Sequence, residues 1–278
     1  MSQLVTSTNR LRLRRLWWLG RTEFILFWRN RTAVITALLL PAAMVAFYAR
    51  INESATSGLS VNAYMLTGVV AFMLLFVVYY NLVTAYVARR EELVLKRLRT
   101  GEARDVEILI AGAIPAAVIA LAQTAIAVGI GALLLDLPVP VNALVLLGGL
   151  LGGIVVFALL AAASTAFTRS VEFAQISTLP VLIVCMLGSG ALVPFDVLPG
   201  PLREVLQFVP LAPVVELLRL GWVGGADGAA LGELASGGSG FSADALRSAG
   251  PPLGILVGWI VLGWIVLRRW FRWEPRRS

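Results

Sequence analysis

Long apolar runs dominate this chain, and short polar breaks separate them. A helix needs about 20 residues to cross a hydrocarbon core of about 30 Å, and runs of about that length occur six times. The alternation of apolar and polar positions that marks membrane-spanning strands is absent. The pattern therefore predicts an all-α integral membrane protein. Its six transmembrane helices are expected at residues 32–50, 62–87, 106–135, 142–167, 174–194 and 252–269.

Composition agrees with this pattern. Hydrophobic residues make up 59% of the 278 residues and charged residues only 14%, whereas about 25% is usual in soluble domains. We expect one integral membrane domain over residues 1–278. Seven arginines precede the first run and no small-residue cleavage site follows it, so we expect that run to remain as a span. The domain is predicted to consist of an interfacial helix at 1–31, spans one to five at 32–195, an outer hairpin and loop at 196–251, and span six with a basic tail at 252–278.

The basic residues are distributed unevenly across the predicted topology. Of the 23 lysines and arginines, 19 lie in the N-terminal segment, the polar break after span two, the break after span four and the C-terminal tail. The positive-inside rule places these segments, and both termini, in the cytoplasm. We therefore expect a multi-pass protein of the inner or plasma membrane. The net charge of +7 therefore reports topology and requires no nucleic acid as partner.

The N-terminal segment, residues 10–31, has the pattern of a helix that lies in the membrane interface. Apolar side chains such as Leu13, Trp17 and Phe24 recur at helical spacing, with arginines on most of the remaining circumference. The pattern fits a plain membrane anchor, and it fits equally a cytoplasmic elbow helix that also touches a partner.

The segment from Arg89 to Glu107, named here the charged island, separates two apolar runs that carry almost no charge. Acidic residues precede basic ones at helical separations, so the second span is expected to continue as a helix into the cytoplasm. Thr100 and Gly101 then break the helix, and Glu102 and Asp105 suit the N-terminus of the next one. The island either fixes topology only or docks a protein, and its mixed charge favours docking. The predicted coupling residues are Glu91, Glu92, Arg97, Arg99, Thr100, Gly101, Glu102, Arg104 and Asp105.

A proline-rich stretch follows the fifth predicted span. Its prolines forbid one continuous helix and leave two short amphipathic pieces, at about 201–208 and 213–221. Both are too short to cross the membrane, so they lie in the outer interface or dip into it. The alternatives are a passive interfacial connector and a hairpin that acts as a gate. The residues assigned to the hairpin are Pro194, Leu198, Pro199, Pro210, Pro213, Glu216 and Arg219.

Two further segments are rich in small residues. Residues 224–250 contain mostly glycine, alanine and serine, which predicts a flexible outer loop. The fourth span contains glycines at 148, 149, 152 and 153, which let helices approach closely. Packing within the subunit is the ordinary interpretation of these glycines, and a dimer seam is the other.

The sequence lacks the groups that several function classes need. It has no histidine and no G-x-x-x-x-G-K-[ST] loop, so we expect no cofactor and no ATP site in this chain. No carboxylate lies deep inside a span, which disfavours a proton-coupled carrier or an intramembrane enzyme. Polar residues within membrane spans more often form hydrogen bonds between helices than bind a ligand. In this chain they include Asn81, Thr84, Gln123, Ser177 and Thr178.

Two motifs resemble a known family. The run REELVLKRLRTGEARDVEILIAG resembles the cytoplasmic loop of type-2 ABC exporter permeases, which include drug-resistance and daunorubicin-export membrane subunits. Proline spacing in the outer stretch, with Glu216 to Arg219, resembles the re-entrant hairpin of the same family. The chain departs from the family at Gly101 and Glu102, where many members have a turn proline.

This resemblance implies a dimeric permease, homodimeric or paired with a related subunit, in contact with membrane lipid. ATP and magnesium would be bound by a separate ABC ATPase subunit, which the island would contact. A lipophilic or amphipathic substrate, such as a drug, antibiotic or lipid-like molecule, would be exported. The alternative is a membrane interaction or channel-like protein without an ATPase partner.

Overall fold

The computed structural model describes residues 25, 59–91, 105–134, 140–191, 198–224 and 243–270. Throughout these ranges the chain forms helices joined by turns, with no strand, which confirms the all-α class for this part. The predicted first span at 32–50 lies outside the described residues. So does the predicted N-terminal helix, except for Ile25, which is helical and exposed.

Five helices in the described ranges are long and apolar enough to cross a membrane, and they correspond to predicted spans two to six. They are Tyr64–Glu91, Leu109–Leu133, Ala143–Thr165, Val171–Gly188 and Arg247–Arg269.

The first of these is a continuous helix with a π-helical segment inside it. Helix α1 is Leu59–Met73, the π-helix is Leu74–Tyr80, and α2 is Asn81–Glu91. Aromatic rings stack along its surface, with the Phe72 and Phe76 centroids 4.3 Å apart. π-helical turns are rare and are frequent at functional sites. Here the segment buries Tyr79 completely.

Helix α3 is Asp105–Leu134 and begins at the second of the two acidic residues that the sequence places near a helix N-terminus. Helix α4 is Ala143–Thr165. Its N-cap is Asn142, whose side-chain oxygen accepts a hydrogen bond from the Val145 N–H at 3.2 Å.

The fifth predicted span consists of two helices, α5 at Val171–Ser177 and α6 at Leu179–Gly188. They meet at Thr178. Pro180 lies in the first turn of α6 and has no N–H to donate to the preceding turn, which accounts for the break. The helix ends at Gly188, earlier than the predicted residue 194, and Gly190 adopts a positive φ of 75°.

Helices α7, Gly200–Leu206, and α8, Ala212–Val223, lie where the sequence predicts two short pieces. Helix α9 is Ala243–Trp270. The prediction of a loop up to residue 250 is therefore wrong for residues 243–250, which are helical. The alanines that suggested a loop are also the best helix formers.

Helix α4 lies at the centre of the described bundle and packs against α8, α9, α2 and the π-helix. It runs parallel to α9, since Leu256 lies beside Gly152 and Gly263 beside Leu159. The C-terminal ends of α2, α4 and α9 share one end of the bundle, which carries Arg90, Arg169 and Arg268 and is named here the basic end. The opposite end holds the start of α4 and the end of α8.

Candidate functional site

Helix α8 packs along the glycines of α4 at the end opposite the basic end. A Cβ atom on Gly149 would lie 2.7 Å from the Cβ of Leu217, and one on Gly153 would lie 2.9 Å from Val214. Glycine removes these clashes and lets the two helices approach closely. The α4 glycines therefore pack within the subunit at these two positions.

Backbone hydrogen bonds fasten the end of α8 to the start of α4. The N–H of Val141 donates to the Trp222 carbonyl at 3.1 Å, and the N–H of Asn142 donates to the Gly221 carbonyl at 2.8 Å. A Cβ on Gly221 would clash with the backbone nitrogen of Leu146. The two helices are therefore antiparallel and in backbone contact at this end.

The start of α8 lies deep in the bundle. Its Val214 packs beside Gly153, which is about ten residues, or about 15 Å, along α4 from Ala143. On the other side, the indole N–H of Trp259 donates to the Phe208 carbonyl at 2.8 Å. Trp259 follows Arg247 on α9 by about 18 Å of helical rise. Both distances place the α7–α8 connection near the mid-depth of the neighbouring long helices.

Arg219 joins α8 to two other elements. Its guanidinium donates to the Gly190 carbonyl at 2.7 Å and to the Thr67 hydroxyl at 3.3 Å. Its central carbon lies 4.0 Å from the centroid of the Tyr64 ring, in cation–π geometry. The Tyr64 hydroxyl also donates to the Gly190 carbonyl. This group, named here the Arg219 cluster, connects α1, the end of α6 and α8.

Glu216 lies on the exposed side of α8, although the sequence allowed for pairing with Arg219 on the inner face.

The hydrophobic side chains of α7 and α8 have different surroundings. On α8, Leu217, Leu218 and Trp222 are completely buried in protein. On and after α7, Leu202 is 44% exposed, Val205 67% and Phe208 55%. Helix α7 thus presents an apolar surface that the described protein does not cover.

At the basic end, Arg90 holds the end of α4. Its guanidinium donates to the Thr165 carbonyl at 2.7 Å, to the Thr168 carbonyl and to the Arg169 carbonyl at 3.2 Å. The last carbonyls of a helix have no partner within the helix, so a buried arginine here both satisfies them and complements the negative end of the helix dipole. Arg90 is only 8% exposed. We name this arrangement the Arg90 clamp.

Two more hydrogen bonds surround the clamp. The Val171 N–H, at the start of α5, donates to a carboxylate oxygen of Glu91 at 3.3 Å. The buried Tyr86 hydroxyl donates to the Leu109 carbonyl of α3 at 2.7 Å. The end of α2, where the charged island begins, is thereby bonded to α3, α4 and α5.

The predicted site residues fall into two groups. Glu91 lies beside the clamp and Asp105 begins α3, while Leu198, Pro199, Pro210, Pro213, Glu216 and Arg219 belong to the hairpin. The remaining predicted residues lie outside the described ranges, namely Glu92, Arg97, Arg99, Thr100, Gly101, Glu102, Arg104 and Pro194. Their coupling and gating roles stay predictions.

Sequence reasoning missed Arg90, Tyr64 and Thr67. Arg90 was counted only as a topological charge. Its partners are backbone carbonyls, which leave no mark in the sequence, so its position at the last turn of a span was the one available signal. Tyr64 and Thr67 were concealed within an apolar run.

The family profile described as ABC-2 type transporter matches residues 14–222, which is most of the chain. The chain therefore belongs to the ABC-2 type transporter family. This confirms the resemblance at the level of the family, while the drug-resistance and daunorubicin-export subgroup stays a prediction. Members are membrane transport components, generally not enzymes themselves, and generally work with an ABC ATPase. A comparison with curated proteins finds no match.

Proposed function

We propose that the chain is the permease subunit of an ABC exporter, with both termini in the cytoplasm of the inner or plasma membrane. It forms a dimer with itself or a related permease, and each permease docks a separate ATPase that carries ATP and magnesium. The basic end faces the cytoplasm, in line with the positive-inside rule. The proposed substrate is lipophilic or amphipathic, since the described helices expose mainly apolar side chains.

The observation that carries this proposal is the placement of α4. One end of α4 is held by the Arg90 clamp at the base of the charged island, and the other half packs against α8 through Gly149 and Gly153. A single rigid helix therefore contacts both the predicted docking loop and the predicted gate. A shift of the island has a direct mechanical route to the outer hairpin.

In the proposed mechanism, closure of the ATPases displaces the charged island. The displacement pulls on α2. The pull reaches α3 and the α4–α5 turn, because Tyr86, Arg90 and Glu91 bond α2 to them. Helix α4 then tilts and carries α8 with it. Coupling through packed helices requires two discrete arrangements of such an element, and α4 is the element we assign.

The hairpin α7–α8 is proposed to be re-entrant in the outer leaflet. The connection at mid-depth and the exposed apolar surface of α7 support this. Full exposure of Leu202, Val205 or Phe208 to water would cost about 1.5–3 kcal/mol for each side chain. In the bilayer they face acyl chains. The Arg219 cluster then holds the closed gate against α1 and the end of α6.

Purification with native partners tests the docking proposal. We expect a P-loop subunit in stoichiometric amount, ATP hydrolysis only by the complex, and no saturable ATP binding to the isolated chain. The charge reversals Glu102→Lys and Arg104→Glu are expected to weaken co-purification and transport while insertion is retained. Normal association and transport in both variants would show that the island has only a topological role.

Cysteine labelling tests the hairpin. The single cysteine of the sequence is first removed by Cys185→Ala. The described residues do not cover Leu202 and Val205, so we expect the bilayer to shield Leu202→Cys and Val205→Cys from a membrane-impermeant thiol reagent. Ser248→Cys, exposed at the start of α9, is the accessible control. We expect slow labelling at 202 and 205, changing when ATP is trapped on the partner, and fast labelling at 248. Equal fast labelling at all three positions would identify an ordinary exposed loop.

A further inference from the structure

An apolar cavity of about 490 Å³ lies between α3, α4 and α9 on the half of the bundle nearer the basic end. Small side chains create it, and larger ones close its sides. The residues used in this argument are Ala113, Ala117, Ile154, Ala158, Ile260 and Trp264. No residue of α7 or α8 lines the cavity, so it is distinct from the hairpin.

Among the described residues, the cavity opens on the outer surface of the bundle. Two of its lining residues, Ile110 and Val155, are 47% and 43% exposed. Its lining is almost wholly apolar, and the hydroxyl of Tyr86, one of its few polar atoms, donates to the Leu109 carbonyl. A polar ligand would find few partners here, whereas a hydrocarbon chain would fit without loss of hydrogen bonds.

Two arginines flank the cavity at the basic end. The guanidinium carbon of Arg268 lies 4.7 Å from the centroid of the Trp264 ring, which lines the cavity. Arg89 lies against Gly112, next to the lining residue Ala113, since a Cβ on Gly112 would lie 2.9 Å from its Nη1 atom. Arginine is well suited to bind phosphate oxygens at a membrane surface.

We propose that this cavity holds one acyl chain of an anionic phospholipid from the leaflet at the basic end, with the headgroup phosphate between Arg268 and Arg89. The apolar lining accommodates the chain, and the two cations favour an anionic headgroup over a zwitterionic one. The proposal requires only that α3, α4 and α9 cross the membrane, so it stands independently of the substrate and of the ATPase.

The test uses the full-length chain and native mass spectrometry, with phosphatidylglycerol or phosphatidylcholine added to the detergent-solubilised protein. We expect one tightly retained phosphatidylglycerol and weaker retention of phosphatidylcholine. Filling the cavity with Ala117→Phe and Ala158→Phe should weaken the binding of phosphatidylglycerol at least about tenfold. Excluding two methylene groups of the acyl chain from the cavity is enough to produce that factor. The matched control is Ala125→Phe, which places the same ring on an exposed position of α3 outside the cavity.

A second pair of variants tests the headgroup without altering the core. Arg268→Gln is expected to weaken the binding of phosphatidylglycerol about fivefold. Arg247 is exposed at the opposite end of α9, so Arg247→Gln should leave this binding unchanged. Undiminished retention in the cavity-filling variant would overturn the proposal. So would equal retention of the two lipids by the unaltered chain, or equal effects of the two arginine substitutions.

Discussion

The two ends of the bundle hold α4 by different means. At the end opposite the basic end, α8 packs on the backbone of α4 through glycines, and the contact is apolar and close. At the basic end, one arginine bonds to three carbonyls at and beyond the last turn of α4. Close packing is short-ranged and tolerates little displacement. Bonds from one long side chain allow rotation, so in the proposed mechanism the basic end receives the motion and the opposite end transmits it rigidly.

The largest effect is expected from Gly221→Ala. The added methyl group meets the backbone nitrogen of Leu146, which cannot move aside as a side chain can. We expect the free energy of unfolding in detergent to fall by about 2–3 kcal/mol. Gly254→Ala is the control, since nothing lies within 4 Å of its Cβ. It should leave stability unchanged or raise it by up to about 1 kcal/mol. Similar thermal midpoints for both variants would contradict backbone contact between α8 and α4.

Arg90→Gln comes next. It removes charge-assisted hydrogen bonds to buried carbonyls, and a loss of about 2 kcal/mol in unfolding free energy is expected. Arg90→Lys should recover only part of this, because an ammonium group lacks the planar fork that reaches several carbonyls. The comparison variant is Arg169→Gln, which removes an exposed charge at the same end. Equal stability of the Arg90 and Arg169 variants would show that the clamp contributes nothing.

A smaller effect is expected at the Arg219 cluster. Arg219→Gln loses the cation–π contact with Tyr64 and weakens the bond to Gly190, for about 1–2 kcal/mol. A double-mutant cycle that compares Tyr64→Phe with Tyr64→Leu, each with and without Arg219→Gln, isolates the ring contact, because both Tyr64 variants lack the hydroxyl that bonds to Gly190. Arg203→Gln, on exposed α7, serves as the reference. Additive effects of the Arg219 and Tyr64 changes on thermal unfolding would rule out the contact.

The smallest difference is expected between two adjacent glycines. Gly149→Ala introduces a methyl group against Leu217 and should cost about 1 kcal/mol, less than at Gly221, because the nearest atom is a side-chain carbon and not a backbone atom. Gly148→Ala has nothing within 4 Å and should be neutral or mildly stabilising. Chemical or thermal unfolding of both variants measures the difference. If Gly148→Ala were the more harmful, the packed face of α4 would be assigned wrongly, or a partner subunit would lie on the other face.

The spans and the hairpin breaks could be predicted from the sequence because they depend on properties that are local along the chain. A run of apolar residues must be helical in lipid, since its backbone groups have no other partner there. Prolines such as Pro210 and Pro213 interrupt helices wherever the chain lies. Five of the six predicted spans have counterparts among the described helices. The prediction for residues 243–250 failed because alanine and glycine in one segment favour opposite conformations.

The contacts that define the candidate site depended on tertiary structure. Gly148 and Gly149 are identical neighbours in the sequence, and only the position of α8 makes one a contact and leaves the other open. Arg90 and Arg89 are likewise adjacent, yet Arg90 bonds to the end of α4 and Arg89 lies against Gly112 of α3, because a helix turns about 100° per residue and points them in different directions. Apolar periodicity determines which segments enter the membrane, while the packing of one helix on another decides which of their residues meet.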